Sequence, residues 1–220
     1  MKLRTLAAVV VVYSVGLIAP AEFRAILAIR RTEFYWALAS LVGVVLLGTL
    51  RGIVVAIVLS LVALAYPTAH PPVRVLGRKP GSNGFRPLSP EHPGDETLPG
   101  LLLLGLEGRI FFFNAEHVAE RVRSLVEEAK PKVVVLDLSA VSDLEYTALK
   151  MLTQAEVRSR QLGVRLWLVG LTPSVLAMVQ RSPLGQALGR EGMLFTLELA
   201  VAEYLGSAAS RASNGRGARG

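Results

Sequence analysis

Val134-Val-Leu-Asp-Leu-Ser-Ala-Val-Ser-Asp-Leu-Glu-Tyr-Thr-Ala-Leu149 is the stretch on which the fold turns. Its first residues belong to Lys132–Asp137, a continuous and largely β-branched run. A strand with one wet face alternates apolar and polar residues, so an unbroken apolar run predicts a strand buried on both faces. After a polar loop, Ala148, Met151, Leu152, Ala155 and Leu162 fall on one face of a helix over Thr147–Leu162, with Gly163 as its stop. Arg165–Val169 reads as the next strand, completing a βαβ unit of right-handed sense.

The pattern extends in both directions. Leu101–Leu106 and Arg109–Phe113 are apolar runs separated by Glu107-Gly108, a two-residue hairpin signal. Asn114 is placed to cap a helix whose stripe is Ala115, Val118, Ala119, Val122, Val126 and Ala129. Pro173–Arg181, a short strand near Met193–Phe195 and a helix ending at Leu205 follow. Residues 100–205 therefore predict an α/β domain, a mixed β-sheet with packed helices. The Gly/Ser/Ala/Arg segment 206–220 predicts a disordered tail. Pro67–Pro99 holds eight of the twelve prolines and Gly81-Ser-Asn-Gly84, which predicts a linker with at most the strand Val73–Leu76.

Residues 1–66 are of another kind. Leu6–Ala19 is apolar, preceded by Lys2 and Arg4 and ended by Pro20, a pattern shared by a membrane segment and a cleavable signal peptide. Phe23, Ala25, Ile26 and Leu27 recur at helical spacing among charges, predicting an interfacial helix near residues 21–33. Phe34–Tyr66 is 33 residues long with one charge, Arg51. A single span needs about 20 residues. A break at Gly48-Thr-Leu-Arg-Gly52 leaves halves 34–48 and 53–66 of about 22 Å each, against a hydrocarbon core of about 30 Å.

Three short membrane segments are expected, the last two forming a tight hairpin with Arg51 at its tip. Gly48-x-x-x-Gly52 is read as that turn in preference to a close helix approach. Arg24, Arg30 and Arg31 before the hairpin, and Arg74, Arg78 and Lys79 after it, put both of its ends in the cytoplasm. The expected location is the cell (inner) membrane, multi-pass, with the α/β domain cytoplasmic. Spans so short suit peripheral parts of a larger membrane protein.

The 220 residues are 52% hydrophobic and 19% charged, below the about 25% charge of soluble domains. The net charge of +7 divides into +4 over 1–66, +1 over 67–99, −1 over 100–205 and +3 over 206–220. The α/β segment is slightly acidic, which argues against a nucleic-acid module despite a pI near 10.1. Absence of cysteine excludes disulfides, thiolate metal sites and cysteine nucleophiles. His70, His92 and His117 are too widely spaced for a zinc site. No Ser/His/Asp set, Walker-type loop or pair of acids on a cleft is present, so no enzyme, catalytic residue, metal or cofactor is expected.

The stretch 134–149 resembles the STAS domain, shared by bacterial anti-sigma factor antagonists and the cytoplasmic end of sulfate permease (SulP) transporters. Three further stretches resemble SulP more specifically: Phe23-Arg-Ala-Ile-Leu-Ala-Ile-Arg-Arg-Thr-Glu-Phe34, Leu46-Leu-Gly-Thr-Leu-Arg-Gly-Ile53 and Arg109-Ile-Phe-Phe-Phe-Asn-Ala115. Together the resemblance covers nearly residues 3–205.

It implies membrane α-helical segments plus a cytoplasmic STAS-like domain, the C-terminal portion of a SulP-type anion transporter of the sulfate class. The STAS domain would regulate transport or assembly. Such transporters have two inverted repeats of seven segments, and the anion site lies between half-helices of both. This chain matches only the last segments, so it is expected to be incomplete as a transporter alone, with no substrate-binding residue. The implied partners are the lipid bilayer, the missing transporter segments or a second subunit, and a second copy in a homodimer, with no nucleic acid. The alternative is a membrane-anchored STAS signalling module of the antagonist type.

The resemblance also implies a regulatory site at Asp137, Ser139, Glu145 and Thr147. Thr147 occupies the position of the antagonists' phosphorylated Ser and Glu145 that of their Asp, while Tyr146 and Ala148 depart from the pattern. A hydroxyl at a helix N-terminus suits a phosphate, although Asp143 and Glu145 would repel one. The simpler role for Thr147 is an N-cap or first-turn residue. For Asp137 and Ser139, satisfying the backbone at the strand end stands beside a nucleotide or partner contact.

Overall fold

The structure, a computed structural model, describes residues 20–29 and 31–217 together with Val9, Val12 and Tyr13. The expected first membrane segment, Leu6–Ala19, otherwise lies outside the described residues. The chain divides into two compact units between Tyr66 and Pro67.

In the first unit, helix α1 (Pro20–Ile29) packs on α2 (Arg31–Leu47), with Phe23 edge-on to Phe34 at 6.5 Å. Helix α3 (Thr49–Ala69) follows and crosses the unit boundary. The break between α2 and α3 is Gly48 alone, at φ +81°, a conformation open to glycine without steric cost. The sequence led us to expect a five-residue turn. Nothing in Thr49-Leu50-Arg51 breaks a helix, so hydrogen bonding resumes at once, Gly52 N donating to Gly48 O at 2.8 Å. Arg51 lies in the first turn of α3 and not on a loop tip.

The two helices are consequently longer than expected, at 17 and 21 residues. Pro67 lies in the last turn of α3, where it has no N–H to donate to the carbonyl of Ala63, and the helix ends two residues later. Leu50–Ala69, 20 residues with a mean hydropathy of 2.2, is the one helix among the described residues long and apolar enough to cross a membrane. Gly52 also serves the close helix approach that was set aside in favour of the turn. A Cβ there would overlap Val44 Cα and lie 2.7 Å from Val44 Cγ2, so Gly52 is where α3 meets α2.

The second unit is built on a six-stranded sheet in the order β2-β1-β3-β4-β5-β6. Its strands are β1 (Val73–Arg78), β2 (Phe85–Pro87), β3 (Leu101–Ile110), β4 (Val133–Leu144), β5 (Arg165–Val169) and β6 (Met193–Leu194). Strands β3 to β6 are mutually parallel, while β1 is antiparallel to both β2 and β3. Helices α4 (Ala115–Ala129), α5 (Tyr146–Gln161), α6 (Pro173–Gln180) and α7 (Pro183–Leu188) lie between the strands in sequence, and α8 (Leu197–Gly217) ends the chain.

Alternate residues of the apolar runs enter two cores. Leu102, Leu104, Val134, Leu136, Leu166 and Leu168 pack with Val118 of α4, Leu152 of α5, Val175 of α6 and Leu184 of α7. Leu101, Leu103, Val133, Val135, Trp167 and Val169 pack on the other face with Leu197, Val201 and Tyr204 of α8. The continuous apolar run at 133–136 is the direct consequence: each residue has a dry side to face.

Several expectations are corrected. Glu107-Gly108 is not a hairpin, because β3 runs unbroken from Leu101 to Ile110 and pairs in parallel with β4. Gly108, at φ +85°, lies at a register shift of that pairing, so its freedom serves a bulge. The antiparallel partner of β3 comes instead from the presumed linker, through β1 and β2. Pro87 is tolerated in β2 because that is an edge strand, where a missing N–H costs no ladder bond, and the other prolines of the segment lie outside β1 and β2.

That segment is also pinned by a two-pronged bond, Arg86 Nε and Nη2 each donating to Asp95 at 2.8 Å. The hydrogen bond from Arg86 holds the Asp95 carboxyl below its ordinary value of 3.8. At the C-terminus, the expected disordered tail is helical as far as Gly217. Extending a helix already nucleated by the packed Leu197–Tyr204 turns costs little at Ala- and Ser-rich positions.

Candidate functional site

Of the sequence-derived site residues, Asp137 and Ser139 lie on β4, the longest strand, and Glu145 and Thr147 lie just beyond its end, at the start of α5. Helix α5 begins three residues after Asp143, yet the segment between Asp137 and Leu144 is not a loop. β4 continues through it, with register shifts against β3 that mark two irregularities. The four residues therefore do not converge. Ser139 and Glu145 are six residues apart along extended chain, on the order of 20 Å.

The first pair is tied by a local hydrogen bond within β4. Asp137 Oδ1 accepts a hydrogen bond from Ser139 N at 2.9 Å, so the carboxylate satisfies the backbone where the pairing shifts. Gly170, at the exit of β5 with φ +67°, presses against it. A Cβ on Gly170 would lie 2.8 Å from Asp137 Oδ1 and 2.9 Å from Ser139 N. This glycine carried no role in the sequence, although its place one residue after a strand was the available signal.

The second pair stands at the N-terminus of α5. Glu145 occupies the cap position with extended backbone, and its side chain does not cap the helix. It accepts instead from Arg109 Nη2 at 2.7 Å, while Arg109 Nε lies 3.1 Å from Asp143 Oδ2. Glu145 N also donates to Ile110 O at 3.0 Å, tying the α5 start to the end of β3. Thr147 is a first-turn residue, exposed beside Tyr146, while Ala148 is fully buried. Arg109 was missed as a site residue. It offsets part of the repulsion that Asp143 and Glu145 would exert on a phosphate at Thr147.

Asn114 differs from its expected role. It stands at the cap position of α4 but makes no capping bond with its side chain. Fully buried, it accepts from Phe111 N at 2.9 Å and donates to Arg109 O at 2.8 Å and Thr68 O at 2.9 Å. One amide thus bonds to three backbone groups. The amide thereby shapes the Phe111–Phe113 turn, whose ring centroids lie 5.5–6.4 Å apart in edge-on or tilted pairs, with Phe112 and Phe113 exposed. Among the described residues no cluster of His, Asp or Glu has a metal-binding arrangement.

Comparison with known proteins follows this geometry. The STAS domain family model matches residues 92–203. A probable sulfate transporter of Mycobacterium tuberculosis is 29% identical over 201 residues, covering 90% of this chain and 36% of that protein. Sulfate transporter 3.1 of Arabidopsis thaliana is 27% identical over 184 residues, covering 79% of this chain and 28% of its own length. The chain thus spans about a third of the curated relatives it matches.

Among solved structures, the murine Solute Carrier 26 family member A9 (Slc26a9) anion transporter in the inward-facing state superposes with a TM-score of 0.71. That match is 16% identical and covers 84% of this chain and 30% of the other, so it speaks to fold alone. With more than half of its length matched by the family model, the chain belongs to the STAS domain family, and its similarity to sulfate transporters extends beyond that domain through both of its units.

Proposed function

We propose that this chain is the C-terminal portion of a SulP-type transporter for sulfate-class anions. In this reading α2 and α3 are multi-pass segments of the cell inner membrane, α1 lies at its interface, and the STAS domain regulates transport or assembly from the cytoplasm. One observation carries it: similarity to sulfate transporters runs over 90% of the chain, through the apolar helices as well as the STAS domain. A signalling module of the antagonist type needs only one tethering span, and would have no use for family-like sequence in α1 and α2. The 20-residue span of α3 supports membrane residence, and the basic residues flanking the hairpin support a cytoplasmic domain.

The regulatory role falls to Thr147, exposed on the first turn of α5 beside the Arg109 cluster, with Glu145 setting the helix start. Asp137 and Ser139 form a separate site on β4 that a partner would contact. The intact transporter is expected to work as a homodimer.

Exchanging the matching part of the M. tuberculosis relative for this chain tests the proposal in proteoliposomes. Sulfate uptake should survive the exchange. A chimera that inserts and folds yet takes up no anion overturns it. Thr147→Asp in the same chimera should alter uptake or dimerisation, and unchanged behaviour in both would reduce Thr147 to a first-turn residue.

A further inference from the structure

Three consecutive phenylalanines on an exposed turn call for an environment. Phe112 and Phe113 are 68% and 58% exposed, and Tyr146, on the adjoining start of α5, is 80% exposed. The turn is not loose. Asn114, buried beneath it, holds Phe111 N, and Phe111 O accepts from the backbone N of Asn114 and Ala115 at 3.1 and 2.9 Å. Arg109 lies 5.8 Å from the Phe111 ring centroid, adding a cation beside the aromatic group.

The same Asn114 donates at 2.9 Å to the carbonyl of Thr68, in the last turn of α3. One turn into α4, His117 meets His70 edge-on at 4.8 Å. Thr68, His70, Asn114 and His117 all belong to the second unit, so these contacts are internal to it. The apolar span Leu50–Ala69 passes through Thr68. The aromatic turn is therefore anchored within one helical turn of the end of that span.

We propose that Phe112 and Phe113 insert into the bilayer at its headgroup–acyl boundary, beside the point where α3 leaves it. Exposed aromatics with a neighbouring Arg are what that boundary accepts, with rings among the upper acyl chains and the cation among the phosphates. The loop then acts as a second membrane contact of the STAS domain, besides the covalent one through α3. The proposal rests on the reading of α3 as a membrane span.

Because the chain has no cysteine, single substitutions can be spin-labelled without altering any other residue. Phe112→Cys and Phe113→Cys, each in the full chain reconstituted in phosphatidylcholine–phosphatidylglycerol bilayers, are measured for collision with oxygen and with a water-soluble nickel chelate. Gln161→Cys, at the opposite end of α5 from Glu145, is the aqueous control, and Leu61→Cys within α3 reports on the span. The expected result is oxygen accessibility with nickel protection at both phenylalanine positions, at a depth of about 5–10 Å, with Gln161 in water.

Labels at 112 and 113 as nickel-accessible as the one at Gln161, with Leu61 deep in the bilayer, overturn the loop insertion and leave the span standing. Labels protected from both reagents overturn it in favour of a protein surface. A Leu61 label in water overturns the span reading itself, and the insertion with it.

Discussion

Helix α3 and strands β3 to β5 are built from the same few side chains, yet they treat water in opposite ways. In α3, Leu50, Leu61 and Leu64 are 80%, 61% and 73% exposed, while Leu104, Leu136 and Leu168 in the sheet are almost wholly buried. The sheet strands find cover within their own unit because two helical layers flank them. The helix finds almost none, with 6% of its apolar window buried. Apolar content alone therefore says that a segment avoids water, and the surroundings decide whether protein or lipid replaces it.

The contrast can be broken by mutation. Leu104→Ala should lower the stability of the STAS domain by about 2–5 kcal/mol, since a fully buried leucine leaves a cavity. Urea unfolding followed by Trp167 fluorescence in a Trp36→Phe background reads this. Gly170→Ala should cost about 2–4 kcal/mol, combining a left-handed backbone with crowding against Asp137 and Ser139. Restoration by Asp137→Ala in the same background would identify the crowding as the larger part.

Asn114→Ala should cost about 1–3 kcal/mol, because Phe111 N, Arg109 O and Thr68 O each lose a hydrogen bond. An unchanged melting temperature would mean that water replaces the amide there. The Arg86–Asp95 pair gives a smaller and pH-dependent effect. Asp95 has a folded pKa below its ordinary 3.8, so its contribution is full above that value and disappears as pH falls through the lowered one. The stability gap between the native chain and Arg86→Ala should therefore narrow in acid, and a gap constant down to pH 2 would contradict it. Smallest of all, Leu61→Ala should leave domain unfolding unchanged within about 0.5 kcal/mol. A loss comparable to that of Leu104→Ala would dissolve the contrast between the two regions.

Much of the domain was legible from pattern. Helices α4 and α5 and strand β5 fall where periodicity and Gly163 put them, because those signals are local. The errors cluster where a residue's role depends on a distant partner. Glu107-Gly108 has the composition of a hairpin, but β1 occupies the edge that a return strand would need. Proline density obscured β1 and β2, since a proline's cost depends on whether its strand is an edge. Helix α7, six residues opened by Pro183, was too short to leave a periodic signal. The site shows the same division. Thr147 was correctly placed in a first turn, while the separation of Asp137 and Ser139 from it, and the pairing of Arg109 with two acids, were invisible.

Local chemistry alone was sufficient to determine a neutral-to-acidic α/β domain beside strongly apolar helices in the sequence, and the resemblance of its motifs pointed to the family that the domain belongs to. Those properties reside in periodicity, charge distribution and short motifs, each contained within a few turns of chain. Tertiary structure decided the sheet order, the extension of β4 that splits the candidate site, and the inward turn of Asn114 that leaves the phenylalanines outside. Each of these is a competition for a partner distant in sequence, such as a strand edge or a carbonyl, and only folding settles such a competition.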